Sequence, residues 1–317
     1  MNLKEVYSFE VKPIAPYSFE LTVHKPASWW WATPYEIFEN DTFWTATRFH
    51  GQLIGLKMSS TRTSKNPRIR CRVFSKSELS FEEKKQTRSM LKRALRAEED
   101  LTEFYRIAEN DPILSDVVHD LYGMRIATWP ELFPALILAV TLQMAPMKRA
   151  DQMMELLINK FGERLNFDNK IIRYWPSAKK IANVTVEELK TKAKVGYRAR
   201  SLIAIAQALE EGFPTMDELW GMAFDEAKKR LLSLRGIGDY SADLVSPGMG
   251  FPVDVWSAKI FNILLNGKAP KNPREKIPEL KKTAEERWGK WRGYAFAYVL
   301  NDLPNLSKRI GVDLTQF

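Results

Sequence analysis

At about Ser80 the hydrophobic period of this chain changes, and that change limits what it can build. Before it, polar and apolar residues alternate: Ser18 to Val23, Thr42 to Thr47 less regularly, and Arg68 to Val73 cleanly. Turn-prone residues at Pro26, Asn40-Asp41, Gly51 and Asn66-Pro67 separate these runs, so a mostly antiparallel sheet with one solvated face is expected. Trp29, Trp30 and Trp31 read first as packing for that sheet, with a surface for bases or partners as the alternative. After Ser80 the spacing is helical. Phe81 to Ala108 holds no glycine or proline and predicts one long connecting helix, with Ser80 before Glu82-Glu83 as its start. Its basic residues Lys84, Lys85, Arg88, Lys92, Arg93 and Arg96 fit a solvated face, or less readily a nucleic-acid-facing one.

Further helices are expected over Ile113 to Tyr122, Trp129 to Gln143, Lys148 to Phe161, Ile171 to Trp175, Val186 to Lys192, Ala199 to Glu210 and Met216 to Met222. The series continues with Phe224 to Leu234, Tyr240 to Val245, Val255 to Leu265, Ile277 to Trp288 and Gly293 to Leu300. The fold class is therefore α+β, with an antiparallel-sheet domain over 1–80 and an all-helical body over 81–317.

Composition removes several kinds of chemistry. The one cysteine, Cys71, excludes a disulfide framework and a four-cysteine zinc or iron–sulfur site within the chain, and fits a reducing compartment. His24, His50 and His119 are far apart, which argues against a zinc hydrolase. The N-terminus lacks an apolar signal core, and the longest apolar run, Ala135 to Leu142, is too short to span a membrane. No membrane partner is expected, and a cytoplasmic, nucleoid-associated or nuclear location is expected over secretion. A net charge of +9 and a pI near 9.4 favour a polyanionic partner.

The motif with most chemical content runs from Leu231 to Asp254. A helix end leads into Arg235-Gly236-Ile237-Gly238, a second helix follows, and an acid stands in Pro252-Val253-Asp254-Val255-Trp256. Two glycines two apart permit a tight turn whose amides could hold a phosphate. Asp254, 16 residues after Gly238, is either the cap of the helix that begins at Val255 or a reacting carboxylate. Asp239 and Asp243 are rival acids, the first read as a cap of the second hairpin helix.

These residues resemble the helix-hairpin-helix DNA glycosylases, whose mark is this hairpin, then a Gly/Pro-rich loop (here Ser246 to Pro252), then a catalytic aspartate. The likeness continues in Trp129 to Glu163, in Gly196 to Leu202 and in Trp288 with Trp291-Arg292-Gly293-Tyr294-Ala295, and covers about two thirds of the chain. The N-terminal sheet brings it nearest the AlkA-like 3-methyladenine glycosylases, with 8-oxoguanine glycosylases as near relatives. The wording Pro252-Val253-Asp254-Val255 is closer to the oxoguanine and endonuclease III branches.

The resemblance implies base-excision repair of double-stranded DNA by a monomer whose two helical lobes flank the active site. Arg235, Gly236, Ile237, Gly238 and Tyr240 would form the DNA-binding hairpin, and Asp254 would be the catalytic carboxylate. Gln143 and Met144 stand where the family keeps its wedge, although a methionine at a helix end also suits a core. Tyr240, Trp256, Trp288 and Trp291 are candidates to line the base pocket, against the plainer reading of core aromatics. No cofactor is required, while a monovalent cation could sit on the backbone carbonyls of Leu232, Leu234 and Ile237 in the presence of DNA. Bifunctional members carry a lysine two residues after the second hairpin glycine, and here that residue is Tyr240. Without the amine no Schiff base forms with the sugar, so simple hydrolysis is expected. The alternatives are an 8-oxoguanine-type glycosylase/lyase and a non-catalytic damage sensor.

Overall fold

The computed structural model describes residues 2–60, 63–248 and 250–316, which leaves Met249 of the loop before Asp254 outside the described residues. The N-terminal region holds β1 (Lys4–Val11), α1 (Phe19–Val23), β2 (Ile37–Glu39), β3 (Thr42–Phe49), β4 (Gln52–Ser60) and β5 (Ile69–Ser75). The five strands form one antiparallel sheet in the order β1-β5-β4-β3-β2. Ile69, Cys71 and Val73 of β5 point into the core while Arg70 and Arg72 point outward, the alternation read in the sequence.

Next come α2 (Phe81–Ala94), α3 (Thr102–Glu109), α4 (Val117–Asp120), α5 (Leu132–Leu142) and α6 (Met147–Phe161). The strands β6 (Glu163–Phe167) and β7 (Lys170–Tyr174) interrupt the helices. Then follow α7 (Ala178–Ala182), α8 (Val186–Ala193), α9 (Arg198–Glu210), α10 (Met216–Trp220), α11 (Phe224–Leu232) and α12 (Asp239–Val245). The chain closes with α13 (Val255–Asn266), α14 (Pro273–Trp288), α15 (Arg292–Asn301) and α16 (Leu303–Ile310). Among the described residues no helix is long and apolar enough to cross a membrane.

Three expectations need correction. Ser18 to Val23 is a short helix, because the Ser18 hydroxyl accepts the Leu21 amide at 3.3 Å and Thr22 Oγ1 donates back to the Ser18 carbonyl at 2.6 Å. The body is not all-helical, since Ile171 to Tyr174 lies in β7. Asp168 and Asn169 take left-handed φ values of 49° and 58°, as a two-residue hairpin turn demands. Asp168 then ties that hairpin to the sheet through Trp44 Nε1 at 2.7 Å and Lys57 Nζ at 2.8 Å.

The long helix from Phe81 breaks after Ala94 despite having no glycine or proline. Arg96 adopts a φ of 52° and turns its guanidinium inward, donating to the carbonyls of Ile126 (3.1 Å) and Pro247 and to Glu99 (2.7 Å). Those buried bonds reward a turn that helix propensity alone would not choose. The basic residues of α2 follow the solvated reading. Lys84 and Arg88 lie over the rings of Tyr7 and Phe9, Lys92 pairs with Glu98 at 2.6 Å, and Arg93 pairs with Asp217.

Buried side chains fall into two clusters. The first joins the sheet to α5 through α9 and to the hairpin residues Leu231, Leu234, Ile237, Ala242 and Val245, so the sheet shares its core with that lobe. The second holds α3, α4 and α13 through α16, together with Phe251 and Val253. Leu244 packs against both. Trp31 is buried, with Nε1 donating to the Thr128 carbonyl at 2.6 Å. Trp30 packs on the first cluster, as the sheet-packing reading expects, whereas Trp29 packs on the second, which contains no strand of the sheet.

Candidate active site

The hairpin turn is built by one glycine that must be glycine and one that need not be for folding. Gly236 has a φ of 85°, and a Cβ there would lie 2.4 Å from Ser201 Oγ on α9. Gly238 is extended and caps α12 through its carbonyl, which accepts the Ala242 amide at 2.9 Å. A Cβ on Gly238 would meet nothing within 4 Å, so its outer face is open to a ligand. Ile237 anchors the turn by burial, and its amide donates to the Leu234 carbonyl at 3.1 Å. Arg235 is exposed.

Asp239 does not cap α12, contrary to expectation. Its carboxylate and that of Asp243 share two lysines instead. Lys228 reaches Asp239 at 2.6 Å and Asp243 at 2.7 Å, and Lys281 reaches Asp243 at 2.6 Å and also touches Asp239. Asp243 is 3% exposed, and each of its carboxylate oxygens is paired with a lysine, so it is a buried ion-pair partner and a poorer candidate for the reacting acid than Asp254.

Asp254, half-buried, caps α13 and follows Val253 of the second cluster. Its Oδ1 accepts the Ser257 amide at 2.8 Å and the Ser257 hydroxyl at 2.6 Å, while its own amide donates to Ser257 Oγ at 2.9 Å. Both side-chain bonds end on Oδ1. Among the described residues Oδ2 accepts no hydrogen bond, so capping holds the carboxylate in one orientation and leaves one oxygen available. The signal for this was in the sequence as Asp254-x-x-Ser257.

Tyr240, the second residue of α12, is close enough for the Asp254 charge to act on its phenol. Burial first, and that negative charge second, push its ionisation well above the ordinary tyrosine value. It therefore presents a neutral ring beside the carboxylate. Trp256 is 36% exposed at the start of α13, two residues beyond Asp254.

The other two tryptophans do not join them. Trp288 is 1% exposed, donates through Nε1 to Asp111 at 2.8 Å and packs with Phe251 and Phe261, so it is core and cannot stack on a base. Trp291 packs on Phe104 and Tyr294 and lines a separate cleft of about 630 Å³ with Arg96, Thr102 and Gly248.

Met144 follows α5 with a φ of 48° and is 81% exposed. Gln143 does not project beside it. Its Nε2 donates to the Gly236 carbonyl at 2.7 Å and to Ser241 Oγ at 3.0 Å. Sequence reasoning missed this contact, along with Ser201, Lys228, Lys281 and Ser257, because each joins residues distant in sequence or acts only by supporting another side chain.

Residues 137–288 match the model of HhH-GPD, described as the HhH-GPD superfamily base excision DNA repair protein. A DNA-3-methyladenine glycosylase of Bacillus subtilis is 29% identical over 211 residues, covering 63% of this chain and 66% of that protein, just under two thirds of its length. A probable N-glycosylase/DNA lyase of Methanothermobacter thermautotrophicus is 24% identical over 225 residues, covering 64% of this chain and 70% of that one. Among solved structures, a 3-methyladenine DNA glycosylase from Archaeoglobus fulgidus superposes with a TM-score of 0.71 at 18% identity, covering 96% of this chain and 99% of the other. An 8-oxoguanine glycosylase/lyase from Clostridium acetobutylicum superposes at 0.67 and 16% identity, covering 95% and 98%. The structural matches extend the shared fold over nearly the whole chain, N-terminal sheet included. Residues 137–288, which carry the Met144 turn, the hairpin and Asp254, are thus the part of the chain that is similar to the HhH-GPD superfamily of base excision DNA repair proteins.

Proposed function

We propose that the protein is a monofunctional DNA glycosylase that extrudes a damaged base from double-stranded DNA and hydrolyses its N-glycosidic bond. Alkylated purines and deaminated bases are the substrate class favoured, in keeping with the 3-methyladenine glycosylases among its relatives. The observation that carries this reading is the pairing of Asp254 with Tyr240. An ionisable carboxylate with a free oxygen lies beside a neutral aromatic ring where a lyase would carry an amine.

In this reaction the bond from the base nitrogen to C1′ breaks with its electron pair leaving on the base, and positive charge grows on the sugar. Asp254 Oδ2 offsets that charge, as carboxylates do in glycoside hydrolysis. Water then adds to C1′ and gives up a proton, which the same carboxylate can accept. Tyr240 and Trp256 are the aromatic walls assigned to the base, Met144 to the gap it leaves, and the Gly236 to Gly238 turn to the DNA backbone, flanked by Arg235. No cofactor enters. The carbonyls of Leu232, Leu234 and Ile237 are assigned to a monovalent cation bridging to phosphate. Among the described residues that of Leu234 accepts one hydrogen bond, from Ile237, which leaves it a lone pair.

The test is base release from a panel of duplexes carrying 3-methyladenine, 7-methylguanine, hypoxanthine, ethenoadenine or 8-oxoguanine, with borohydride trapping run in parallel. Release without trapping is expected. Binding to every duplex without release from any would make this a damage-sensing module, and efficient trapping would make it a lyase.

A further inference from the structure

The turn that carries Met144 and the turn that carries Gly236 are joined by one side chain. Gln143 Nε2 has two N–H donors, and both are spent on the hairpin, on the Gly236 carbonyl at 2.7 Å and on Ser241 Oγ at 3.0 Å. The backbone carbonyl of Gln143 accepts a bond from Arg198 Nη2, whose Nε holds the Val140 carbonyl at 3.2 Å. Gly236 is pressed on the same α9 helix that supplies Arg198, through Ser201. Three segments thus meet at Gln143: the end of α5, the start of α9 and the hairpin.

Met144 itself has little to fix it. It is 81% exposed, and its left-handed φ of 48° is unfavourable for a residue with a Cβ. Such a conformation persists only where the neighbouring backbone is held, and the bonds to Gln143 do that immediately before it. A side chain that enters a duplex must also keep register with the turn that grips the phosphates, since an error of about 1 Å can cost about a hundredfold in rate. A direct bond between the two turns sets that register without contacting DNA.

We propose that Gln143 is a positioning residue that locks the spacing between the inserted Met144 and the phosphate-holding hairpin, and is not itself a wedge. The DNA-bound part of this inference rests on the glycosylase reading above. The clamp it describes belongs to the free protein.

The test has two arms. In the free protein, hydrogen exchange of residues 143–147 and 234–240 should accelerate together by roughly tenfold in Gln143→Ala and in the isosteric Gln143→Glu, which lacks the donors, while the rest of the fold is unchanged. Unchanged exchange in the hairpin overturns the clamp. In the second arm, proteins bind a duplex with 2-aminopurine beside an abasic-site analogue, where fluorescence reports unstacking. The rise seen with wild type should fall roughly tenfold in Gln143→Ala, and adding Met144→Ala should lower it no further than Met144→Ala alone, because coupled residues are not additive. Additive losses overturn the inference, as Gln143 would then act apart from Met144. Wild type that fails to unstack the duplex overturns the glycosylase reading, and the exchange arm still judges the clamp.

Discussion

Asp254 Oδ1 and Ser257 Oγ lie 2.6 Å apart at the first turn of α13, a cap that uses one carboxylate oxygen and is compatible with the catalytic role proposed for Asp254. Oδ1 makes the cap, and among the described residues Oδ2 accepts no hydrogen bond. Asparagine also caps helices well, so Asp254→Asn should keep stability within about 1 kcal/mol while excision falls by at least roughly a hundredfold, the scale of losing one transition-state electrostatic partner. Ser257→Ala should do the reverse, costing about 1 kcal/mol through the weakened cap and lowering excision only modestly. Single-turnover release and urea denaturation on the same preparations separate the two. Full activity in Asp254→Asn removes the aspartate from the mechanism.

In the proposed function Tyr240 stands where a lyase would carry its amine. Tyr240→Lys should therefore gain borohydride-trappable complex on lesion DNA, with the Asp254 carboxylate near enough to keep the lysine charged at neutral pH and hold the yield low. A pH profile of wild-type excision should show no loss from tyrosine ionisation below about pH 10, because burial and Asp254 both raise Tyr240 above its ordinary value. An alkaline limb below pH 10 that disappears in Tyr240→Phe would contradict this electrostatic picture.

The hairpin glycines separate folding from binding. Gly236→Ala would place a Cβ 2.4 Å from Ser201 Oγ at a φ of 85°, and should cost about 2 kcal/mol or more. Gly238→Ala has ordinary backbone angles and open space around it, so stability should stay within about 0.5 kcal/mol. Its methyl instead occupies the face offered to phosphate, and affinity for undamaged duplex should drop with a shallower salt dependence. Thermal melts and salt titrations of both variants provide the check, and equal behaviour of the two glycines would sink the distinction.

Much of this arrangement is legible in the amino-acid sequence. The change of period at Ser80, the hairpin, Asp254 and an exposed Met144 all rest on local signals: alternation, paired glycines, and an acid before a helix. What escaped was set by contacts between distant residues. Arg96 breaks a helix that composition favours because its guanidinium finds carbonyls at Ile126 and Pro247. Trp288 resembles a pocket aromatic until Asp111, 177 residues away in sequence, claims its indole nitrogen. Gln143 reads as half of a wedge until the carbonyl of Gly236 is found 2.7 Å from its amide. Short elements failed for a different reason, since the five residues of α1 are too few for a period of two to be told from 3.6.

The segment bearing Trp29 to Thr33 is secured by an acid, and this makes stability depend on pH. Glu36 accepts the amides of Trp31, Ala32 and Thr33 at 2.7, 2.5 and 3.2 Å and the Thr45 hydroxyl at 3.1 Å. Burial outweighs those bonds and pushes its carboxyl up to about 7 from an ordinary 4.5. Between those values the folded state binds more protons than the unfolded one, so this group's contribution falls as pH rises from about 4.5 to 7 and is level beyond. Lys25 works in the opposite sense. Burial lowers it from 10.5 to about 8, against the partial support of the Glu36 charge, so the folded state binds fewer protons between those values and stability rises with pH there. Together the pair places a shallow minimum near pH 7 to 8. Other groups titrate in the same range, so the quantity to measure is the difference in urea midpoint between wild type and each variant across pH. Glu36→Gln should flatten the acid limb and Lys25→Met the alkaline one. An acid limb of unchanged slope in Glu36→Gln would show that this carboxylate is ionised in the fold at its ordinary pH, with its four donors prevailing over burial.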